Sequence, residues 1–478
     1  MDADLSFHVD RAAGTPLAAQ IHATLRRAIL DGRLAAGARL PSWRDLAAQL
    51  GVARGTVRVA YERLVDEQLA VGMGAAGTRV ARWPVAEAPV LAPTSETGPL
   101  PAFFPDFEVP PLAFQMGVPA QDAFPFTLWS RVLTQGARVA AAAPVGYPDP
   151  RGHAELRAEI AAYLAIARGI RCAPAQVLVT SGFSATIGLV IRALRLEGKA
   201  AWMEEPGFPL TRLALTFAGM MPAPVPVDGQ GIDVAAGIRA APDAALAVVT
   251  PGQQAPLGVA LSLPRRVALL DWARRTGAWV LEDDYLSELQ LAGRAAPALA
   301  AVDHAAGGDG RVLHAGTFSK TLSPALRLGF LVVPPALAGH FGDVAACLAP
   351  APAAPVQRAV AAFLRDGHYL RHLRRMKRLY AARRAALAQA LRGRLAVRAT
   401  AGLSLVVDLP PGTDDQAVAV QALAYGMAPV PLSPWYGTEV AHGLLLGVTN
   451  LNERRLAADC DRLVHLVAGN SSAPPSRA

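Results

Sequence analysis

Residues 81–111 constrain the fold more than any other stretch of the chain. Eight prolines punctuate it (Pro84, Pro89, Pro93, Pro99, Pro101, Pro105, Pro110 and Pro111), and hydrophobic residues show little periodicity there. Proline fixes φ and removes a hydrogen-bond donor, so neither a helix nor an interior strand runs through such a stretch. It reads as an extended, partly polyproline linker reaching up to about 3.1 Å per residue. The 478 residues therefore divide into a head at 10–82, a linker at 83–111 and a body at 112–468. At roughly 100–200 residues per domain, the body has room for more than one. No internal repeat is visible, and the polar tail from Gly469 onward is expected to fray.

Hydrophobic residues make up 52% and charged residues 18% of the chain, which excludes a disordered protein. The first ten residues lack a basic and an apolar signal region, so no secretory leader is expected. The uncharged run 416–438 is broken by Pro429, Pro431 and Pro434 and cannot span a membrane. Cys172, Cys347 and Cys460 lie far apart, which predicts no disulfide framework and no metal site. A cytoplasmic protein is expected. The net charge of +8 suits an acidic partner without naming one. Of 46 basic residues only Lys199, Lys320 and Lys377 are lysines. Chemistry that needs a side-chain primary amine has three candidates.

Leu17, Ile21, Leu25 and Ile29 recur every four residues, predicting an amphipathic helix that stops near Gly32. Ser42 is suited to N-cap a second helix, with Leu46 and Leu50 inward and Gly51 as its left-handed stop. A third helix over 54–66 is expected to bury Val57, Tyr61, Leu64 and Val65. Residues 69–71 and 78–81 flank a Gly72/Gly74/Gly77 turn, a hairpin wing. Three helices and a hairpin form an α+β winged helix-turn-helix. Arg54 and Arg58 lie one helical turn apart, on the face opposite Val57 and Tyr61. Arg44 opens the second helix, and Thr56 sits in the first turn of the third. Arginine forks suit guanine edges and phosphates. A small helical bundle with solvated arginines would not need the ordered set of cap, turn, exposed arginines and glycine wing.

The head resembles the GntR-type winged helix. The resemblance rests on Gly32–Arg33–Leu34, Gly37, Leu40–Pro41–Ser42, Arg44–Asp45–Leu46, Leu50–Gly51–Val52, Arg54, Thr56–Val57–Arg58 and Gly77–Thr78. It implies a double-stranded DNA operator as partner, met by Ser42, Arg44, Arg54, Thr56, Arg58, Gly77 and Thr78. Two departures stand out. Ala53 holds a place where a serine usually caps the reading helix, and Gly55 loosens that helix's first turn.

In the body, short apolar runs alternate with helical patterns, as in an α/β domain with a mainly parallel sheet. Residues 177–179, 245–249, 279–281 and 312–314 read as buried strands. They run into Thr180–Ser181–Gly182, Thr250–Pro251–Gly252, Glu282–Asp283–Asp284–Tyr285 and Gly316–Thr317–Phe318–Ser319–Lys320. Ligands of open α/β sheets gather at the carboxyl ends of strands, so these four ends suggest one composite site. Lys199 lies at a helix–strand turn and Lys377 on a basic helical face, where both are expected to be solvated. Lys320 is placed to form a Schiff base with a carbonyl cofactor. Pyridoxal phosphate also needs an acid for its pyridine nitrogen and a phosphate cradle. Asp283 or Asp284 supplies the acid, and Tyr285 is placed to donate to the ring's phenolic oxygen. The backbone N–H groups of Gly182, Phe183 and Ser184 at a helix start suit a dianion. Thr317, Ser319 and Arg327 are placed to complete the cradle, and Phe208 to stack on the ring.

These segments, with Tyr147–Pro148–Asp149–Pro150–Arg151–Gly152, Glu205–Pro206–Gly207–Phe208 and residues 323–329, resemble a fold-type I, aspartate-aminotransferase-like domain. That resemblance implies a large domain with a mainly parallel sheet and a smaller C-terminal α+β domain. With the GntR-type head and the linker, the whole chain resembles the MocR branch of bacterial transcription regulators. By resemblance Lys320 anchors pyridoxal 5′-phosphate, Asp283 pairs with the pyridine nitrogen and Tyr285 meets the phenolic oxygen. Ser184, Thr317, Ser319 and Arg327 would hold the phosphate. Tyr147 would reach a partner subunit's phosphate in a homodimer. Ala255 stands where aminotransferases usually place an asparagine, and Leu444–Leu445–Leu446 where a carboxylate-binding arginine is usual. Phe183–Ser184 replaces a small residue followed by glutamine. The expectation is a cofactor-responsive DNA-binding regulator, with an amine or amino acid as a candidate second effector. The alternatives are an active aminotransferase carrying a DNA-binding head, and a regulator whose body is only a scaffold.

Overall fold

The computed structural model describes residues 9–82, 110–291, 295–305, 310–398, 402–438 and 441–471. Residues 83–109 of the linker and 472–478 of the tail lie outside the described residues. The chain forms two compact units, 1–100 and 101–478.

The first unit contains helices α1 (Leu17–Leu30), α2 (Trp43–Leu50) and α3 (Arg54–Asp66), then a hairpin of β1 (Ala70–Gly72) and β2 (Thr78–Val80). Ile21, Leu25 and Ile29 from α1 meet Leu46 from α2 and Val57, Tyr61 and Leu64 from α3 in one core. Ser42 caps α2 by accepting from the Asp45 N–H, and Gly51 closes it at φ 63°. Val65 corrects the sequence reading: it is 41% exposed. Eight residues beyond Val57 it has rotated about 80° off the buried stripe, which Leu64 still follows.

The second unit is built on an eight-stranded sheet. Its strands are β3 (Val177–Thr180), β4 (Ala200–Glu205), β5 (Met221–Asp228), β6 (Gly231–Ile232), β7 (Leu246–Val249), β8 (Trp279–Asp284), β9 (Val312–Thr317) and β10 (Gly329–Val332). Their order is β3-β10-β9-β8-β7-β4-β5-β6. Strands β9, β8, β7, β4 and β5 pair in parallel, while β10 lies antiparallel between β3 and β9. Strands β3, β4, β7, β8, β9 and β10 are largely buried on both faces, as the interior of a parallel sheet requires, whereas β5 near the edge is mostly exposed. Leu178, Met203, Leu281 and Leu313 face one core, and Trp202, Ala247, Val280 and Val312 another.

Helices α4 (Phe126–Ala141), α5 (Ala154–Ala167) and α6 (Phe183–Leu194) come from the first third of this unit. Beyond the helix His368–Leu391, a four-stranded antiparallel sheet follows, made by β11 (Ala396–Arg398), β12 (Ser404–Asp408), β13 (Val430–Pro431) and β14 (Gly443–Gly447). Its order is β11-β12-β14-β13. Fold type I, with its smaller α+β part, is what the chain adopts. Among the described residues no helix is long and apolar enough to cross a membrane.

Candidate functional site

The carboxyl ends of β3 and β9 come together through β10, because Gly329 pairs with Thr180 on one side and Thr317 on the other. Helix α6 starts at this edge. Gly182, at φ 89°, turns the chain into it and offers no side-chain cap, so the first N–H groups of the helix lack intrahelical partners. The Arg327 guanidinium donates to the Ser181 carbonyl at 3.0 Å. It lies so close to Gly182 that a Cβ there would sit 3.0 Å from Nη2. Phe183 and Ser184 form the first turn of α6, with Ser184 exposed. The Thr317 Oγ1 accepts from the Ser319 N–H at 3.1 Å. A cavity of about 610 Å³ runs along α6 from Ser181 and Ser184 toward Phe217 and Leu348, and neither Lys320 nor Asp283 lines it.

Lys320 stands between this edge and β8. Its Nζ donates to the Gly117 carbonyl at 3.1 Å. Burial keeps the amine's pKa below an ordinary lysine's; Asp283 opposes this and the Arg327 charge adds to it. Lys199 is exposed and Lys377 only half-buried on its helix.

The period-2 alternation of β8 separates its acids. Asp283 pairs across the sheet with Ala315, on the face shared with Leu281 and α6. Burial, then the negative charges of Asp284 and Glu204, push Asp283 up to about 8. Glu282 and Asp284 take the other face. There Arg168 Nε donates to Asp284 Oδ2 at 2.6 Å with both side chains buried. His314 donates from Nδ1 to Glu282 at 2.9 Å. Burial works against the Glu282 charge, but His314 and Arg168 hold the carboxyl at about 2. Asp284 is thus engaged by an arginine, whereas Asp283 shares its field with Lys320. The sequence did not separate the two. The decisive partner, Arg168, is 116 residues away.

Glu204 was absent from the sequence reading. It is buried at the end of β4, accepting from the Thr250 N–H and Oγ1–H and from Gln254 Nε2. Burial raises it to about 7 against those hydrogen bonds. Its position directly before Glu205–Pro206–Gly207 at a strand end was the available signal. Tyr285 follows β8, half-buried, and burial next to Asp283 and Glu204 raises its phenol far above the ordinary value. Phe208 packs on Trp435 with ring centroids 5.5 Å apart. Tyr147 is fully exposed, so this chain does not bring it into the cluster.

In the other unit, Arg44, Arg54 and Arg58 are exposed and Thr56 half-buried. Arg58 pairs with Glu62 of its own helix at 3.5 Å, and the Arg44 guanidinium lies 4.9 Å from the Trp43 ring centre. Ala53 makes no side-chain cap to α3. Gly77 and Thr78 sit at the wing, where Arg39 and Arg79, also missed in the sequence, form a bridge. Arg79 donates to the Gly37 carbonyl at 3.0 Å.

Residues 17–80 match the family described as bacterial regulatory proteins, gntR family, and residues 125–434 match aminotransferase class I and II. The chain is 37% identical over 467 residues to a probable rhizopine catabolism regulatory protein, MocR, of Rhizobium meliloti, covering 94% of this chain and 93% of the relative. It is 32% identical to the HTH-type pyridoxine biosynthesis transcriptional regulator PdxR of Corynebacterium glutamicum, covering 80% and 81%. Among solved structures, the α-aminoadipate aminotransferase LysN of Thermus thermophilus, complexed with N-(5′-phosphopyridoxyl)-L-leucine, superposes with a TM-score of 0.67 at 26% identity. That match covers 75% of this chain and 92% of the enzyme. The chain belongs to the MocR-type transcription regulators, in which a GntR-family helix-turn-helix domain is joined to an aminotransferase class I and II domain.

Proposed function

We propose that the body senses pyridoxal 5′-phosphate, together with an amine, and that this binding sets the affinity of the head for a duplex operator within a cytoplasmic homodimer. The observation that carries the reading is half-buried Lys320 on the Gly117 carbonyl, in the field of Asp283 and of the Arg327 that donates to Ser181 before the start of α6. The residues fit the cofactor. Asp283 has a half-buried carboxyl with no hydrogen bond to another described residue, and a pyridinium supplies the cation that such a group lacks. The uncapped start of α6, with Gly182, Phe183, Ser184, Thr317, Ser319 and Arg327, suits a phosphate. When bound, pyridoxal phosphate supplies an aldehyde that condenses with primary amines and a ring that withdraws electrons from them.

The chain's own residues do the rest. Burial lowers the proton affinity of the Lys320 amine, which raises its nucleophilic fraction. Asp283 would hold a proton on the cofactor's ring nitrogen, and Tyr285 would donate to its phenolic oxygen. Phe208 would cover the ring, and by the resemblance a second copy's tyrosine at position 147 would complete the phosphate contacts. Glu282 and Asp284, both beside His314, fix the far face of β8. Leu445 stands in the strand where an arginine clamp would position a substrate carboxylate, which favours a sensor over a fast aminotransferase. Regulation requires that the ligand bind one arrangement of the dimer better than another.

The test is a visible spectrum of the purified protein with added cofactor, followed by borohydride reduction and peptide mapping. The expected label is on Lys320, and operator affinity should change with cofactor. A Lys320→Ala protein that keeps the same covalent band refutes the anchor. Turnover of amino acids at about 1 per second or more, the ordinary enzyme range, favours the aminotransferase reading instead.

A further inference from the structure

The positive charge of the body is gathered in one stretch. Residues 112–468 hold 34 basic and 26 acidic side chains. Ten of the basic ones, and none of the acidic ones, fall between Asp366 and Asp408. Without that stretch the body would count 24 basic residues against 26 acidic. The stretch is the helix His368–Leu391 and its continuation through β11.

The helix turns one side to the core through Tyr369, His372, Leu373, Met376 and Tyr380. Helical spacing places Arg371, Arg374, Arg375 and Arg378 on the opposite side. All four are exposed, and Lys377 lies half-buried at the flank. Arg371 is engaged locally by His368 and the Asp366 carbonyl. Arg374, Arg375, Lys377 and Arg378 have no hydrogen bond or ion pair among the described residues. Other cations of the stretch are engaged: Arg383 by Asp122, Arg394 by Asp461 and Arg398 by Asp408.

A face kept only to stay solvated gains nothing from this pattern. Arg371–Arg375 and Arg374–Arg378 are like-charged pairs four residues apart, which destabilise a helix, and the helix has no acid to offset them. Two copies of so uniform a face repel each other, so a second copy of this chain does not cover it. A rigid polyanion does match it. From Arg371 to Arg378 the face runs about 10 Å along the helix axis, and one strand of duplex DNA presents a charge about every 3.4 Å. Duplex DNA is also the acidic partner that the gntR-family unit brings to this chain. The linker at 83–111, at up to about 3.1 Å per residue, reaches about 90 Å, so about 26 base pairs beyond an operator lie within the chain's reach.

We infer that Arg374, Arg375, Lys377 and Arg378 form a second DNA contact, which grips the phosphate backbone of duplex flanking the operator without reading its sequence.

The experiment uses the full chain and an operator selected by the wild-type protein from random duplexes. The operator is offered bare or with about 30 base pairs of arbitrary sequence on each side, a length set by the linker's reach. Wild-type protein should bind the flanked operator roughly tenfold or more tightly than the bare one. A variant carrying Arg374→Gln, Arg375→Gln, Lys377→Gln and Arg378→Gln should lose that gain and bind bare operator as wild type does. Its salt slope on flanked DNA should be lower by about 3–4. Replacing the three arginines by lysine should keep the gain. Lys377 gives a reading without any substitution: flanked operator, but not bare operator, should protect it from amine acetylation, while exposed Lys199 stays reactive. That reading decides the matter even where the variant fails to fold. If flanks add no affinity, if the variant keeps the gain, or if Lys377 reacts equally on bare and flanked operator, the inference falls. A variant weakened equally on both duplexes would also overturn it, because the four residues would then act through the fold or the head.

Discussion

At the scale of single residues, burial decides how readily the acids of the site give up their protons. Glu204 shows the consequence. Its carboxyl is raised from an ordinary value near 4.5 to about 7, chiefly by burial. A raised carboxyl contributes stability that is fully present below pH 4.5 and is lost as pH rises through 7, on the order of 3 kcal/mol. Glu204→Gln removes that dependence and keeps an amide where Thr250 and Gln254 can bond it. In cofactor-free protein, the melting temperature of the variant should gain on wild type as pH rises from 5 to 8. A difference that stays constant across that range would show that Glu204 is not the titrating group. Asp283 and Asp284 are adjacent in sequence but face opposite sides of β8, where Arg168 engages Asp284 and the field of Asp283 is set by Glu204 and Lys320.

At the scale of elements, the reading helix α3 is less well built than α2. Ser42 caps α2, but Ala53 leaves the start of α3 uncapped in the extended conformation a capping serine adopts. Ala53→Ser should therefore stabilise the head by about 1 kcal/mol, read as a rise in the denaturant midpoint of the head's unfolding transition. No rise would mean that the first turn of α3 is already satisfied by solvent. Arg54 and Arg58 share this helix but differ in partners, since Arg58 has an exposed ion pair with Glu62. Such a pair is worth at most about 1 kcal/mol, enough to make Arg58 the weaker DNA ligand. Arg54→Ala should cost more operator affinity than Arg58→Ala, and each lost phosphate contact should lower the salt slope by about 1. Unchanged operator affinity in both variants would remove α3 as the reading helix.

At the scale of the whole molecule, the proposed function calls for two copies of the chain. Tyr147 and Val145 are fully exposed on one chain, although the resemblance places that tyrosine at a partner's phosphate. A mixed dimer separates the possibilities. Tyr147→Phe protein keeps its lysine, and Lys320→Ala protein keeps its tyrosine. If Tyr147 acts across the dimer, their heterodimer holds one site with both residues intact and binds cofactor there with wild-type affinity. If Tyr147 acts within its own chain, no such site exists, and every site in the mixture stays weakened. Sedimentation should show the loaded protein as a dimer, and a monomer at micromolar concentration would exclude the proposed arrangement.

What the sequence by itself determined was local. Spacing every four residues placed α1, and the serine and glycine at its ends placed α2, because these depend on neighbours within one or two turns; the lysine count left three candidates for the proposed amine. The strand-end motifs also located the cluster, since parallel strands buried on both faces read as uninterrupted apolar runs. The tertiary structure decided the rest. It engaged Asp284 with Arg168, put Glu204 within the field of Asp283, and packed Leu445 and Trp435 with Met116, the neighbour of the glycine that takes the Lys320 hydrogen bond. Each of those relations joins residues brought together by sheet order rather than chain order, and burial then magnifies their charges and leaves Trp435 and Gln253 with polar atoms unpaired among the described residues. Val65 marks the boundary between the two, for an apolar residue at the edge of a helical stripe is buried or exposed according to what packs there.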